Sequence, residues 1–251
     1  MKFMNQDIKP ILNKWRYRPN DINVRLVEGL DGVNKLQMRL DLGILQMELD
    51  GRPDGTRPKN HESYLEYYLK RADEAKKSFS LSPADCLNLQ QEAIQYYHRY
   101  LGLMKLGDYR RVVRDTQRNL HVFDFVGEHA GHEEIKWSFE QYRAYVIMMN
   151  VRAKASMSLE KELYEEALAA IERGIERIGL HYNQFGDRLG DEGVEIDFLQ
   201  KWADEIREKK PATAVERLQD ELQRAIEKEQ YERAAVLRDK LNSRNKTRGT
   251  Q

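Results

Sequence analysis

The sequence predicts a mainly α-helical protein with a body of helical hairpins, a small N-terminal β-hairpin or meander and a C-terminal antiparallel helix pair. Apolar residues alternate between positions 23 and 50, and they recur with a helical period over nearly all of the chain after Ser63. Short turn segments divide the periodic part into pairs of helices. We therefore expect an N-terminal segment at 1–62, a helical region at 63–208, and the helix pair with a basic tail at 209–251.

The amino-acid composition excludes several classes of function. The 251 residues carry 42 Lys and Arg against 42 Asp and Glu, so the formal net charge is zero, and we expect nucleic-acid binding to be weak or absent. The single cysteine, Cys86, excludes an internal disulfide and a zinc site built on paired thiolates. Because no stretch approaches the ~20 apolar residues that cross a bilayer, we expect a cytoplasmic protein without a membrane span. We also expect no cofactor and no bound metal.

The N-terminal segment carries the period-2 pattern of half-buried strands. The alternating residues are Val24 and Leu26, then Leu36, Met38 and Leu40, then Leu45, Met47 and Leu49. Asp31-Gly32 and Gly51 supply turns between them. The stretch LDLGILQMEL also fits a single helix, which leaves that alternative open for the last strand. A lone hairpin is marginally stable in water, so we expect this one to lie against the helical body.

The next segment, GRPDGTRPKN, contains two prolines and two glycines and so forms a loop or an ordered turn. Arg52 and Arg57 lie beside glycine amides, a setting in which backbone and guanidinium groups can bind a phosphate or carboxylate. No phosphate-binding loop spacing accompanies them. The pattern therefore favours a tight turn with solvated arginines, and an anion site at Arg52 and Arg57 is the alternative.

Capping residues mark the long helices. Ser82 is a candidate N-cap, with Pro83 at the first helical position and Asp85 in the first turn, and we expect this helix to run to about Leu106. A second helix is predicted from Val194 to Glu208.

Two stretches of the helical region share a helix, turn, helix pattern. In the first, Tyr96, Tyr100 and Leu103 lead into Gly107-Asp108-Tyr109, and in the second, Val151, Ala155 and Leu159 lead into Tyr164 and Ala167. The pattern resembles the tetratricopeptide repeat, which implies a groove that binds proteins. It departs from that family because Val112 replaces a small residue and the second unit lacks the turn glycine. A plain α-helical bundle is the alternative.

His129, His132 and Glu133 raise the question of a metal site. The segment HAGHEE does not place both histidines on one helical face in the HExxH order of zinc proteases, and Gly131 weakens a helix there. We interpret residues 126–131 as a loop between hairpins and predict no metal. The aromatic residues that follow, Trp137, Phe139, Tyr142 and Tyr145, are interpreted as core.

The last predicted elements are two short amphipathic helices. The apolar face of the first helix is formed by Val215, Leu218, Leu222, Ala225 and Ile226. The corresponding face of the second helix is formed by Tyr231, Ala234, Leu237, Arg238 and Leu241. The connection at Glu229-Gln230 is short, so the pair is antiparallel, and the small Ala234-Ala235 step permits close approach. The apolar area of one such pair is too small to offset the entropy of ordering it, so it needs a further surface to pack on.

This segment resembles the UVR motif, the helical hairpin shared by the excision-repair proteins UvrB and UvrC. The matching positions are Leu222, Ala225, Tyr231-Glu232, Ala234-Ala235, Leu237-Arg238-Asp239 and Leu241. The resemblance implies that these residues bind a protein partner or a second copy of the hairpin. Glu232, Arg238 and Asp239 are candidates for setting specificity through charge pairing, and solvated helix residues are the equal alternative.

We therefore predict a non-catalytic cytoplasmic interaction protein with two docking surfaces, the hairpin and the helical groove. No helicase phosphate-binding loop and no catalytic residues are identified. The alternative is an accessory factor of nucleotide excision repair that contacts DNA through its basic ends. Its N-terminal candidates for DNA contact are Arg16, Arg18, Arg25, Arg39, Arg52 and Arg57.

Overall fold

A computed structural model describes residues 7–75, 78–189, 193–211 and 214–248. The chain forms two compact units, Met1–Ala203 and Asp204–Gln251, with the boundary inside one helix. The strands are β1 (Asn23–Glu28), β2 (Asn34–Arg39) and β3 (Ile44–Glu48). The helices are α1 (Lys9–Asn13), α2 (Tyr64–Ala75), α3 (Pro83–Leu106), α4 (Tyr109–His129), α5 (Glu133–Glu140), α6 (Arg143–Leu159), α7 (Tyr164–Leu189), α8 (Val194–Lys209), α9 (Ala214–Glu227) and α10 (Tyr231–Arg248).

The predicted mainly α fold is confirmed, together with its N-terminal sheet and C-terminal helix pair. The sheet is an antiparallel meander in the order β1-β2-β3, with Leu26 opposite Leu36 and Leu36 opposite Met47. The stretch LDLGILQMEL forms a turn followed by β3 rather than a helix. Within the ranges that the structure describes, no helix is long and apolar enough to cross a bilayer.

The sheet packs on α3 at a glycine. A Cβ atom placed on Gly102 would lie 2.8 Å from Cδ2 of Leu36 and 3.2 Å from Cγ1 of Val24. Leu36 has no exposed surface, so the small residue at position 102 admits the strand side chains to the helix. The prediction that the β segment lies against the helical body is therefore confirmed.

Two aromatic residues of the segment before β1 contact arginines of the sheet. The guanidinium of Arg25 lies 4.2 Å from the ring centroid of Trp15, and that of Arg39 lies 5.7 Å from the ring of Tyr17. Arg39 also donates to the carbonyl oxygens of Asp41 and Gly43. The two cation–π contacts attach the segment before β1 to the strands.

Helix α3 begins at the predicted cap. Asp85 N–H donates to the Ser82 hydroxyl, and Ser82 N–H donates to the Asp85 carboxylate, which together form a capping box. The helix ends at Leu106, and Gly107 adopts a left-handed conformation. Both predicted ends of this helix are confirmed.

The long helices pack in sequence order. Helix α4 contacts both α3 and α6, and α6 packs along α7. The α6–α7 contact is close at Gly174, where a Cβ atom would overlap the side chain of Val151. Within the described residues, three helical hairpins follow one another, formed by α3 with α4, α6 with α7, and α9 with α10.

The three hairpin turns share one geometry. In each turn, a residue with positive φ is followed two positions later by a tyrosine that opens the next helix. The pairs are Gly107 (φ 78°) with Tyr109, Glu162 (φ 59°) with Tyr164, and Glu229 (φ 55°) with Tyr231. In each turn the N–H after the left-handed residue reaches the carbonyl five positions back, at 3.0, 2.9 and 2.8 Å respectively, as in a Schellman motif.

The predicted loop at residues 126–131 is wrong for most of its length. Helix α4 continues to His129, because Val126 has no exposed surface and packs in the core. The N–H of Ala130 closes the helix on the carbonyl of Val126, and Ala130 also bridges to Leu81. Burial of the apolar face outweighs the low helix propensity of Gly127, while Gly131 lies beyond the end of the helix.

Candidate functional site

The hairpin of α9 and α10 contains the residues that the sequence predicts to bind a partner. Its turn places Glu229 in the left-handed region, where its N–H donates to the carbonyl of Ile226 at 2.9 Å. The Gln230 N–H donates to the carbonyl of Ala225 at 2.8 Å. These bonds satisfy the last carbonyls of α9 and reverse the chain within a few residues, so that α9 and α10 pack together.

A small apolar seam joins the two helices. Ala225, Ala234 and Leu237 form a buried cluster, and the half-buried Leu218 and Leu222 pack against it. Leu241 is also buried. Val215 was predicted to lie on this seam, but its side chain lies outside the described residues. Since two of the buried residues are alanines, the seam removes little apolar area from water.

Several large apolar side chains of the hairpin point to solvent instead. The exposed fraction is 47% for Ile226, 68% for Tyr231 and 56% for Val236. Ile226 and Tyr231 flank the turn, at the end of α9 and the start of α10. These residues can contact another protein without any opening of the seam.

The charged candidates are also exposed. Arg238 and Asp239 pair with each other at 3.3 Å, with side-chain exposures of 64% and 70%, and Glu232 lies at the surface of the first turn of α10. An exposed pair of this kind contributes under about 1 kcal/mol, so both charges can be redirected to a partner at small cost. Of the ten predicted partner-binding residues, Tyr231, Glu232, Arg238 and Asp239 are exposed, while Leu222 and Ala235 are half-buried.

The predicted anion-binding arginines lie in different settings. The Arg52 side chain is 10% exposed and pairs with Glu92 at 3.2 Å and with Asp54 at 3.2 Å. Arg57 is 68% exposed and lies 3.7 Å from Glu62. Both guanidinium groups thus have carboxylate neighbours, and Arg52 fixes the loop to the buried Glu92 of α3.

The two histidines that were considered as metal ligands, His129 and His132, lie in different environments. His129 packs its ring on Phe125, with centroids 4.6 Å apart, and on Phe79 at 5.2 Å. His132 is exposed at the start of α5. In the part of the chain that the structure describes, no three His, Cys, Asp or Glu side chains are grouped so that they could hold a metal ion.

A cavity of about 540 Å³ lies between α3 and α6, with residues of α4, α5 and α8 completing its walls. Tyr97, Tyr142, Tyr145 and Glu195 line it. Tyr142 was predicted to lie in the core, but this residue is 55% exposed. The sequence signal for the cavity is the run of aromatic residues with helical spacing, which the core and a binding groove share.

One comparison with known proteins identifies the hairpin. The family model described as the UvrB/uvrC motif, UVR, matches residues 213–245, which include the turn and most of both helices. The motif links the chain to excision repair or to protein interaction. Neither the curated proteins nor the solved structures contain a match to the chain.

Proposed function

We propose that this chain is a non-catalytic interaction protein whose UVR hairpin binds a second copy of itself or a partner protein. The observation that carries the proposal is the exposure of Ile226, Tyr231 and Val236 beside a seam built largely of alanine. Exposed apolar side chains around a small seam mark an interaction surface, because burying each large one contributes about 1.5–3 kcal/mol.

The charges on the hairpin supply specificity. Glu232 follows Tyr231 in the chain, Arg238 and Asp239 come shortly after Val236, and the exposed pairing of Arg238 with Asp239 is weak. A partner with complementary charges gains attraction, whereas one with like charges is repelled.

Two features support a role without catalysis. The Cys86 thiol is buried, which raises its pKa to about 11 and keeps it protonated and unreactive. The buried carboxylates of Glu92 and Asp115 are each paired with arginine, which holds them in structural ion pairs.

The second docking surface in the proposal is the groove of the helical region between α3 and α6. Ile94 of α3 is 48% exposed and Tyr142 beside α6 is 55% exposed, and both line the cavity. The resemblance of the two hairpins to tetratricopeptide repeats supports this use of the groove, since stacked helical hairpins present such surfaces to proteins.

The hairpin is tested by sedimentation velocity of the full chain over a wide concentration range. We expect Ile226→Asp and Val236→Asp to weaken self-association at least about tenfold. Each substitution removes one large apolar side chain, whose burial contributes about 1.5–3 kcal/mol. Leu42→Asp is the matched control, since Leu42 is 86% exposed in the turn before β3. Leu222→Asp and Ala234→Arg also abolish association, but they place charge in the seam and unfold the pair as well.

If the wild-type chain stays monomeric, the same variants are compared in binding to purified candidate partners. The proposal fails if removal of residues 210–251 alters neither self-association nor any partner complex.

The presence of this motif in UvrB and UvrC favours a second candidate, an accessory factor of excision repair that touches DNA. Arg25, Arg39 and Arg52 are already engaged with Trp15, Tyr17 and Glu92, which leaves fewer N-terminal arginines for phosphate. Fluorescence anisotropy with labelled DNA distinguishes the two. Binding tighter than roughly 100 μM that weakens steeply with salt favours the DNA role, and its absence favours the protein-docking role.

A further inference from the structure

The cavity between α3 and α6 has the size of a small-molecule site. Its volume of about 540 Å³ falls within the range of roughly 300–1,000 Å³ that is common for ligand pockets. Ile94 and Tyr142 are about half exposed, so the cavity is open to solvent along an apolar border.

Tyrosine rings dominate the walls. Tyr97 and Tyr145 lie with ring centroids 6.2 Å apart and planes tilted by 59°, and Tyr142 lines the same cavity. Phe123 and Phe139 also line it. The face of an aromatic ring is electron-rich and attracts a cation that can shed its water.

The charges of the walls have one sign. Among the described residues that line the cavity, Glu195 is the carboxylate, and neither lysine nor arginine is present. The Tyr182 hydroxyl donates to Oε2 of Glu195 at 2.8 Å, which orients the carboxylate. Burial lowers the pKa of His98 below the ordinary value of 6.5, which disfavours its positively charged form.

We infer that this cavity binds a small organic cation, with an alkylated ammonium group held by the tyrosine rings and Glu195. An alkylated ammonium is weakly hydrated, so the aromatic walls replace its water at little cost while the carboxylate balances its charge. The cavity is large enough for an apolar body attached to the ammonium group. The inference goes beyond the proposed docking of proteins, since it names the chemical group that the cavity selects whether a protein side chain or a free molecule carries it.

The charge requirement is tested with choline and its neutral isostere 3,3-dimethylbutan-1-ol, which have nearly the same shape. Ligand-observed NMR titrations of the full chain measure both dissociation constants. We expect choline to bind at least about fivefold more tightly, a ratio within the range of cation–π and ion-pair contributions. Equal affinities for the two compounds, or no binding of either, overturn the inference.

Variants at two wall positions locate the site. Glu195→Gln and Tyr142→Leu each weaken choline binding at least about fivefold, whereas Tyr142→Phe retains the ring and most of the affinity. Asp197→Asn is the matched control for Glu195→Gln, because Asp197 is an exposed acid in the same first turn of α8 and does not line the cavity. If Glu195→Gln and Tyr142→Leu both bind choline like the wild type, the cation is bound elsewhere and the assignment is wrong.

A competing peptide that carries one trimethyllysine between neutral residues distinguishes two sources of the same group. If the peptide displaces choline at a lower concentration than free choline requires, the cation belongs to a protein side chain, and otherwise it belongs to a free small molecule. Both results support a cation site. The hairpin variant Val236→Asp leaves choline binding unchanged, so failure here and failure of hairpin association are separate outcomes.

Discussion

Arg99 of α3 and Asp115 of α4 form a bidentate ion pair in which neither side chain has any exposed surface. Nε and Nη2 of Arg99 donate to the two carboxylate oxygens of Asp115 at 2.7 and 2.8 Å. Nη1 of Arg99 donates to the carbonyl oxygens of Glu48 and Gly51. The pair therefore connects α3 and α4 to the end of the sheet.

Removing one partner of this pair is expected to be costly. Asp115→Asn leaves the Arg99 charge buried without a carboxylate, so the free energy of unfolding falls by about 3–5 kcal/mol. Urea denaturation followed by circular dichroism measures the change. Asp124→Asn is the control, because Asp124 is 64% exposed and its pairing with Arg143 contributes at most about 1 kcal/mol. Equal losses in the two variants would contradict the structural role of the pair.

Because α6 and α7 approach closely, we expect alanine substitutions at two glycines of α7 to change the free energy of unfolding in opposite directions. Gly174→Ala lowers the free energy of unfolding by about 1–2 kcal/mol, since the new methyl group overlaps Val151 and this outweighs the gain in helix propensity. Gly179→Ala raises it by about 0.5–1 kcal/mol, because no atom of the described residues outside the neighbouring backbone of α7 lies within 4 Å of that Cβ position. Thermal unfolding of both variants checks the difference in sign, and stabilisation by Gly174→Ala would mean that the helices are farther apart than described.

The shared turn geometry predicts stabilising substitutions. Glu162 and Glu229 occupy left-handed positions that favour glycine, so Glu162→Gly and Glu229→Gly should each raise stability by about 0.5–1 kcal/mol. Glu176→Gly, at an exposed position inside α7, should lower it by about 0.5–1 kcal/mol. Denaturant midpoints provide the measurement. A loss of stability in Glu162→Gly would show that its turn does not use the conformation of Gly107.

The loop after β3 predicts a pH-dependent contribution to stability. Hydrogen bonding to Arg111, with further pairing to Arg114, holds the pKa of Asp50 well below its ordinary value. A group whose folded-state pKa is lowered stabilises the fold above its unfolded pKa of about 4, and that stability is lost as the pH falls toward the folded value.

Wild type should therefore exceed Asp50→Asn in unfolding free energy at pH 7, and the difference should shrink below about pH 4. Asp50 is 65% exposed, so we expect a difference of under about 1 kcal/mol that diminishes further in 1 M salt. Urea titrations across this pH range measure the difference in unfolding free energy between wild type and Asp50→Asn. A difference that grows as the pH falls would contradict the prediction.

Much of the fold follows from local patterns. The alternation around Leu36 and Met38 predicted the strands, and Ser82 with Pro83 predicted where α3 begins. Local patterns failed at residues 126–131, where burial of Val126 extends α4 through a segment with two glycines nearby. Periodicity also assigned Tyr142 to the core, because it reports the face of a helix and not what covers that face.

The sequence by itself determined the helical hairpins, the sheet and the UVR segment, because helix period, strand alternation and caps act between residues close in the chain. Tertiary structure alone decided that Arg99 meets Asp115. It also decided that Tyr97, Tyr145 and Glu195 enclose one cavity. These relationships depend on how distant segments pack, and packing is set by the summed fit of many side chains rather than by any local pattern.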